Sequence, residues 1–330
     1  MKKLILSILI ICNVIAAFGQ IIKGTILDKE TGTLIDYAAV YLSGTFVGTN
    51  TDKDGSFQLD ISKNPSIPLS VSAVGYSSVT LNKFSITEPL TIYLTPKIYN
   101  LNEVVISAKS HSGERRANLI LFKKIFLGTT FVAKGCKILN ENDITFNYDS
   151  DKDTLRAYAT KPLQIENRLL GYKITYFLDQ FEYDRNMATF FYKGNIIFNE
   201  EMTSEESQKK SFEKVRKDVF IGSRMHFFRE LCGDNLKAAG FIVQDQSKEK
   251  VSYKQLVVEE SDHKKYLSYK ANLTITHFSK VIKSQIVFLK DRVFFDDSGY
   301  FDASGISWEG QMGAQRVGDV LPYEYVLKNY

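Results

Sequence analysis

The chain is poor in the residues and motifs that announce a reaction. It has three cysteines and four histidines in 330 residues, and contains no His-Glu-x-x-His, no Gly-x-Ser-x-Gly nucleophile elbow and no phosphate-cradling P-loop. Metalloprotease, α/β-hydrolase and P-loop chemistry in their usual linear forms are thereby excluded. Only a site assembled from scattered residues would leave no such trace. Charge of one sign is also lacking. The net charge is +4, part of it from Lys2 and Lys3 at the extreme N-terminus, so neither nucleic acid nor an anionic membrane is implied as a partner. No apolar run reaches the roughly 20 residues of a transmembrane helix.

The longest apolar run, Leu4 to Ile11, follows Lys2 and Lys3 and precedes Ala16-Ala17-Phe18-Gly19. Charged start, short apolar core and small residues are the three parts of a secretion signal, which predicts residues 1–19 as a signal peptide and export. Cys12 lies within the apolar core behind Ile10-Ile11, where a lipid-attachment site would want small residues, so no lipidation is expected. Only Cys136 and Cys232 then remain. Each sits beside apolar residues, and the sequence leaves open one bridge or two free thiols.

From Ile22 onward the apolar positions repeat every second residue: Ile22 and Ile26, Ala38 to Leu42, Phe57 to Ile61, Leu69 to Ala73, and Leu90 to Leu94. Turn signals Thr31-Gly32, Ser43-Gly44 and Asp54-Gly55 separate them, and Asp54-Gly55 is expected to close a hairpin. Short alternating strands at this spacing predict an antiparallel β-sandwich.

The same stretch carries a resemblance. Ile22-Lys23-Gly24-Thr25-Ile26 with Asp28, Thr31-Gly32 and Leu34, then Ala38-Ala39-Val40-Tyr41-Leu42, Gly48-Thr49, Thr51 to Phe57 and Val74-Gly75-Tyr76 resemble the carboxypeptidase-like regulatory domain, abundant in envelope proteins of the Bacteroidetes. The resemblance covers residues 20–96 and implies a transthyretin-like sandwich, an adaptor in place of a catalyst. Leu101 to Ile106 resembles the segment that joins such domains to the plug of TonB-dependent outer-membrane receptors. A zinc carboxypeptidase would need a His-x-x-Glu pair and a later His in a large α/β domain. Of the four histidines only His111 has a glutamate, Glu114, three residues on, and that pair stands in the polar joint 97–114. No zinc carboxypeptidase signature is present. An EF-type calcium loop beginning at Asp149 would need glycine at Thr154 and glutamate at Thr160, so Asp149, Asp151 and Asp153 read as a solvated turn, as do Asp52 and Asp54.

Beyond the joint, residues 115–330 read as an α+β domain. Leu119, Phe122, Ile125 and Phe126 recur at helical spacing between residues 115 and 127. Tyr172 to Leu178 and Leu267 to Thr276 alternate as strands, and Asp297-Ser298-Gly299 joins Val293-Phe294-Phe295 to Tyr300-Phe301. A helical insert, Ser204 to Gly240, is interrupted at Gly222 and Gly233. The runs Leu169 to Tyr176 and Gly222 to Leu231 resemble uncharacterised envelope proteins that carry the same sandwich. Taken as one helix from Phe212 to Leu231, the insert would place Arg216, Ser223, His226 and Glu230 on its apolar face, with His226 and Glu230 one turn apart. These four form the candidate polar cluster, read either as a packing network or as the lining of a ligand pocket. No catalytic, cofactor-binding or metal-ligating residue is assigned.

The expected protein is mainly β: an antiparallel sandwich followed by an antiparallel-sheet domain with a helical insert. The expected function is that of a non-enzymatic exported protein, periplasmic or associated with the outer membrane, whose sandwich binds another envelope protein or a glycan. An enzyme of unrecognised class in the second domain, such as a hydrolase, and a small outer-membrane β-barrel are the competing readings. Intact-mass measurement of the protein from the envelope fraction should give Gln20 as its first residue. Retention of Met1 to Gly19 would overturn export.

Overall fold

The computed structural model describes residues 20–97, 112–201, 205–281 and 283–327. The signal segment 1–19, Leu101 to Ile106 and His111 lie outside the described residues. By contacts the chain divides into two units, one comprising residues up to 42 together with 47–97, the other residues 43–46 together with 98 onward. It is mostly β, as its alternating patterns require.

In the first unit, strands β1 (Ile21–Asp28), β4 (Ser56–Asp60) and β7 (Leu90–Leu94) form one sheet in the order β4-β1-β7. Strands β2 (Ala39–Leu42), β3 (Gly48–Asn50), β5 (Leu69–Ser72) and β6 (Val79–Leu81) form the other, ordered β3-β2-β5-β6. The period-two pattern places Ile22, Ile26, Val40, Leu42, Phe57, Leu59, Val71 and Ile92 in the core. Every pairing is antiparallel except β1 with β7, which run parallel. Gly24 is required there, since a Cβ would lie 2.4 Å from the Leu90 carbonyl oxygen and 2.8 Å from the Phe57 ring. Asp54-Gly55 makes a tight turn, with Gly55 at φ +64° and the Asp52 carboxylate accepting the Asp54 and Ser56 amides. It does not close a hairpin, because β3 and β4 on either side of it belong to different sheets. Turn chemistry fixes a local reversal; the partner of each strand is a tertiary matter.

The second unit has two cores. In the first, helix α1 (Ser112–Phe126) lies on a six-stranded sheet of β8 (Cys136–Ile138), β9 (Ile144–Asp149), β10 (Thr154–Ala159), β11 (Leu163–Asn167), β12 (Tyr172–Asp184) and β13 (Thr189–Glu201). Phe122 and Phe126 of the helix meet Phe181 and Tyr176 at ring separations of 4.8 Å, contacts worth about 0.5–1.5 kcal/mol each beyond area burial. Strand β12 buries Tyr172, Ile174, Tyr176 and Leu178, then Phe181. An irregularity between Leu178 and Gln180 shifts the register by one and turns an odd-numbered residue inward.

Helix α2 (Glu206–Phe220) still belongs to the first core, where Phe220 is buried; the second core is built on helix α3 (Arg224–Cys232) and two further sheets. One is β14 (Phe241–Gln244), β17 (Leu273–His277), β18 (Ser284–Phe288) and β20 (Ile306–Glu309), in the order β14-β17-β18-β20. The other is β15 (Val257–Glu259), β16 (Lys265–Leu267) and β19 (Val293–Phe295). Phe227, Phe228 and Leu231 of α3 fill the space against Phe241, Ile275, Ile286 and Phe295. The run Leu267 to Thr276, expected as one strand, is two: β16 and β17 sit in different sheets, with residues 268–272 passing between them. No described sheet closes on itself: four are open runs, and the six-stranded one branches at β12, which pairs β13 as well as β10 and β11. No described helix is long and apolar enough to cross a membrane. Cys136 and Cys232 are both free, and burial raises both thiols, Cys136 to about 12.

After β20 the chain returns to the first core, burying Val317, Leu321 and Tyr325 there. Asn167, fully buried, fastens this return: its Nδ2 donates to the Gly318 carbonyl at 2.9 Å while its Oδ1 accepts the Leu170 amide at 3.0 Å. Asn167→Ala should cost roughly 2–4 kcal/mol in urea unfolding, because it orphans one buried acceptor and one buried donor. A loss below 0.5 kcal/mol, on the order of a neutral surface change, would show that water replaces the amide.

Candidate functional site

The helical insert breaks where its glycine stands. Helix α2 ends at Phe220, Gly222 takes φ +73°, and Ser223 begins α3 as its N-cap with Oγ accepting the His226 amide at 3.1 Å. A side chain at 222 would be strained by that φ and would place Cβ 2.8 Å from Lys280 Cγ. The single-helix face therefore does not exist, and the candidate cluster divides.

Arg216 is held in the first core. Its Nε donates to the Leu170 carbonyl at 2.8 Å and its guanidinium lies 4.1 Å from the centre of the Tyr172 ring. Glu213, also buried, accepts the Tyr325 hydroxyl at 2.8 Å and lies 3.9 Å from Arg216. Ser223, His226 and Glu230 remain together on α3.

His226 stabilises the break. Its Nδ1 accepts the Gly222 amide at 3.1 Å, which fixes the proton of the neutral ring on Nε2. The ring packs among Phe220, Phe241 and His277, with centroids 4.8, 4.9 and 5.5 Å away. Burial, followed by the nearby His277, Arg229 and Lys280, lowers its pKa from 6.5 to about 4. Glu230 lies 3.7 Å from Nε2, beyond hydrogen-bond distance, and its other oxygen accepts from Asn235 at 2.6 Å. The contact at neutral pH is therefore between a carboxylate and a neutral ring. His277 is likewise committed, donating from Nε2 to the Ala239 carbonyl at 3.0 Å, with Nδ1 2.8 Å from Ser279 Oγ. Its pKa is also lowered by burial.

A second polar group, drawn from residues far apart in the chain, was not signalled by the sequence. Asp319, buried on the returning segment, accepts the Thr130 hydroxyl at 2.5 Å and the Arg316 amide at 3.1 Å. Burial raises its pKa despite those bonds and despite the neighbouring Arg224 and Arg316. Gln315 receives the first residue of α3: its Oε1 accepts from the Arg224 amide at 3.1 Å and from Arg224 Nε at 3.3 Å, and its carbonyl accepts a third Arg224 bond at 3.2 Å. Desolvation lowers the Arg224 pKa and raises that of Tyr192 beside it.

Two neighbouring cavities open here, of about 550 Å³ and about 180 Å³. Both are lined by Val219, Ser223, Gln315 and Asp319. Of the four sequence candidates, Ser223 alone lines either of these two cavities. Thr130, Gln315 and Asp319, which sequence reasoning missed, provide the rest of the polar lining of the larger one together with Asp218, Lys280 and Gln311. Burial together with shifted pKa values in a cleft is the physical mark of a candidate binding site. Among the described residues no group of three or more His, Cys, Asp or Glu has the geometry to hold a metal. Asp149 is bonded to the Asp151 and Lys152 amides and to Arg156, as a turn residue would be.

Residues 22–106 match the CarboxypepD_reg-like domain family, a β-sandwich type without catalytic function. Among curated proteins nothing matches the chain. Most of the second unit, with both polar groups, lies outside the family match.

The shifted histidine has a thermodynamic consequence. Unfolded His226 binds a proton below pH 6.5, whereas the folded ring does so only near 4, so acid favours unfolding. Its contribution is complete above pH 6.5 and is lost as the pH falls toward 4, on the order of 3 kcal/mol across that window. Between pH 7 and 4 the wild type should lose about that much more stability to urea than His226→Gln. Parallel losses would remove His226 as the source.

Proposed function

We propose that the protein is an exported, non-enzymatic component of a cell envelope, periplasmic or associated with the outer membrane, whose β-sandwich is an interaction module for another envelope protein or a glycan. The observation that carries this reading is the match of residues 22–106 to a non-catalytic sandwich domain. The chemistry of the sandwich supports it. Several of its buried polar groups serve its own turns and strands: Asp28 accepts the Glu30 and Thr31 amides and the Tyr76 hydroxyl, Thr51 bonds Ala38 and Ile35, and Tyr41 bonds Ser72. What remains for recognition is surface. Tyr37, Val74 and Tyr93 expose half or more of their area, the mixed aromatic and apolar character that protein contacts favour.

A competing enzymatic reading has one observation in its favour. Ser279 Oγ lies 2.8 Å from His277 Nδ1, whose Nε2 is oriented by the Ala239 carbonyl, the order of nucleophile, base and orienter. The Ser279 amide also donates to that Nδ1, so the pairing serves a turn two residues long.

Diazirine photocrosslinkers at Tyr37 and Tyr93, in protein expressed in its own envelope, should give an adduct of reproducible mass that excess unlabelled protein displaces. Adducts from Phe278 or Val281 of the second unit, with none from the sandwich, would overturn the interaction-module reading. A fluorophosphonate probe should leave Ser279 unmodified; stoichiometric labelling lost in Ser279→Ala would establish the enzyme instead.

A further inference from the structure

The larger cavity of the second unit lies wholly outside the sandwich, and nothing in the interaction reading uses it. At about 550 Å³ it falls within the usual range of small-molecule sites. Its charged groups are few and of both signs. Lys280 Nζ donates to the Asp218 carbonyl at 3.2 Å, and Asp218 on the same wall offsets its charge. Both Asp319 oxygens are occupied by Thr130 and Arg316. An ionic ligand of either sign would meet a like charge in this lining, which sets Asp218 and Asp319 beside Lys280.

What the cavity offers is neutral hydrogen bonding beside an apolar face. Gln315 is held by Arg224 through its Oε1, and its Nε2 has no partner among the described residues. Gln311, half-buried on the same wall, has none for its side chain either. An amide presents donors and an acceptor together, which suits a hydroxyl that both donates and accepts. Phe131, 74% exposed, and Val219 supply the apolar part of the wall. A ring so exposed adds little to any core, and its face suits the C–H face of a pyranose. An acyl chain would leave the amides and hydroxyls unpaired, and a phosphate would meet two carboxylates beside the single lysine. We propose that this cavity binds a neutral saccharide, with Gln311 and Gln315 bonding its hydroxyls and Phe131 packing on its ring.

Saturation-transfer NMR on the chain from residue 20 to 330, against neutral gluco-, manno- and xylo-oligosaccharides, tests this. Transfer to at least one of them is expected. Phe131→Ala and Gln311→Ala should each weaken it about tenfold, the equivalent of one lost contact of roughly 1.4 kcal/mol, with the melting temperature unchanged. Ala314→Trp, which fills the cavity from an exposed position on its wall, should abolish it. Absence of transfer from all these sugars overturns the proposal, as does transfer that survives the three substitutions, or a stronger response to uronic-acid oligosaccharides. Transfer that survives the three substitutions would put the sugar on the sandwich instead, so the cavity variants separate this proposal from the interaction-module reading.

Discussion

The second unit depends on one guanidinium. Arg229 of α3 donates from Nε to the Ser298 carbonyl at 2.8 Å, and from its two terminal nitrogens to the carbonyls of Tyr325 and Tyr323 at 2.6 and 2.8 Å. It thereby joins the helix, the turn after β19 and the returning end of the chain. Only arginine carries enough donors in a rigid fork to satisfy three carbonyls at once and stays charged while doing so, even where burial lowers its pKa. Without that clamp the carbonyls would need other donors in a region from which water is largely excluded, at a cost of about 1–3 kcal/mol for each left unpaired. The returning segment carries Gln315 and Asp319. The cavity wall is therefore a consequence of the clamp.

The same economy recurs at four other buried polar groups. Asn167, His226, Glu213 and Asp319 each bond a backbone group or side chain distant in the fold or across a break in it. Such groups contribute less to net stability than to choosing one packing among several, since an alternative arrangement would leave them unpaired. His226 shows the limit of reading charge from proximity. A carboxylate 3.7 Å away would stabilise the imidazolium, yet burial together with three neighbouring basic groups outweighs it. The pair works as packing.

Legibility in the sequence followed the range of the interaction responsible. Five sandwich strands and β12 were readable because apolar side chains recur at every second position along them, although β5 is buried on both faces and β2 nearly so. Strands β3 and β6 were not, because neither buries a side chain fully, β3 has no apolar residue, and the alternation of Val79-Thr80-Leu81 in β6 is only three residues long. The alternation from Leu267 to Thr276 was real but misleading. Each half has a buried face, and only the pairing of β16 with β15 and β19, and of β17 with β14 and β18, shows that the faces belong to different sheets. Around Gly222 only the break itself was legible: the Ser223 cap and the His226 bond to the Gly222 amide went unread although both partners lie within four residues, because a single-helix face assigns those side chains to packing. The Thr130 to Asp319 bond spans 189 residues, and no local pattern could place those groups together.

Gly222 connects these levels. Had α2 continued, position 223 would have been mid-helix, with its hydroxyl beside its own backbone and its amide bonded four residues back. The positive φ at 222 ends α2 instead, makes Ser223 an N-cap and turns the first residue of α3 toward Gln315. Residues of both helices then line one cavity: Asp218 and Val219 from α2, and Ser223 from the cap of α3. A single residue able to adopt a left-handed conformation thus converts an amphipathic pattern, which on its own would specify only a packed face, into a cleft with polar walls. The chemistry of the second unit is set there, by a break in regular structure, while the sandwich commits several of its buried polar groups to its own turns and strands and has its surface left for recognition.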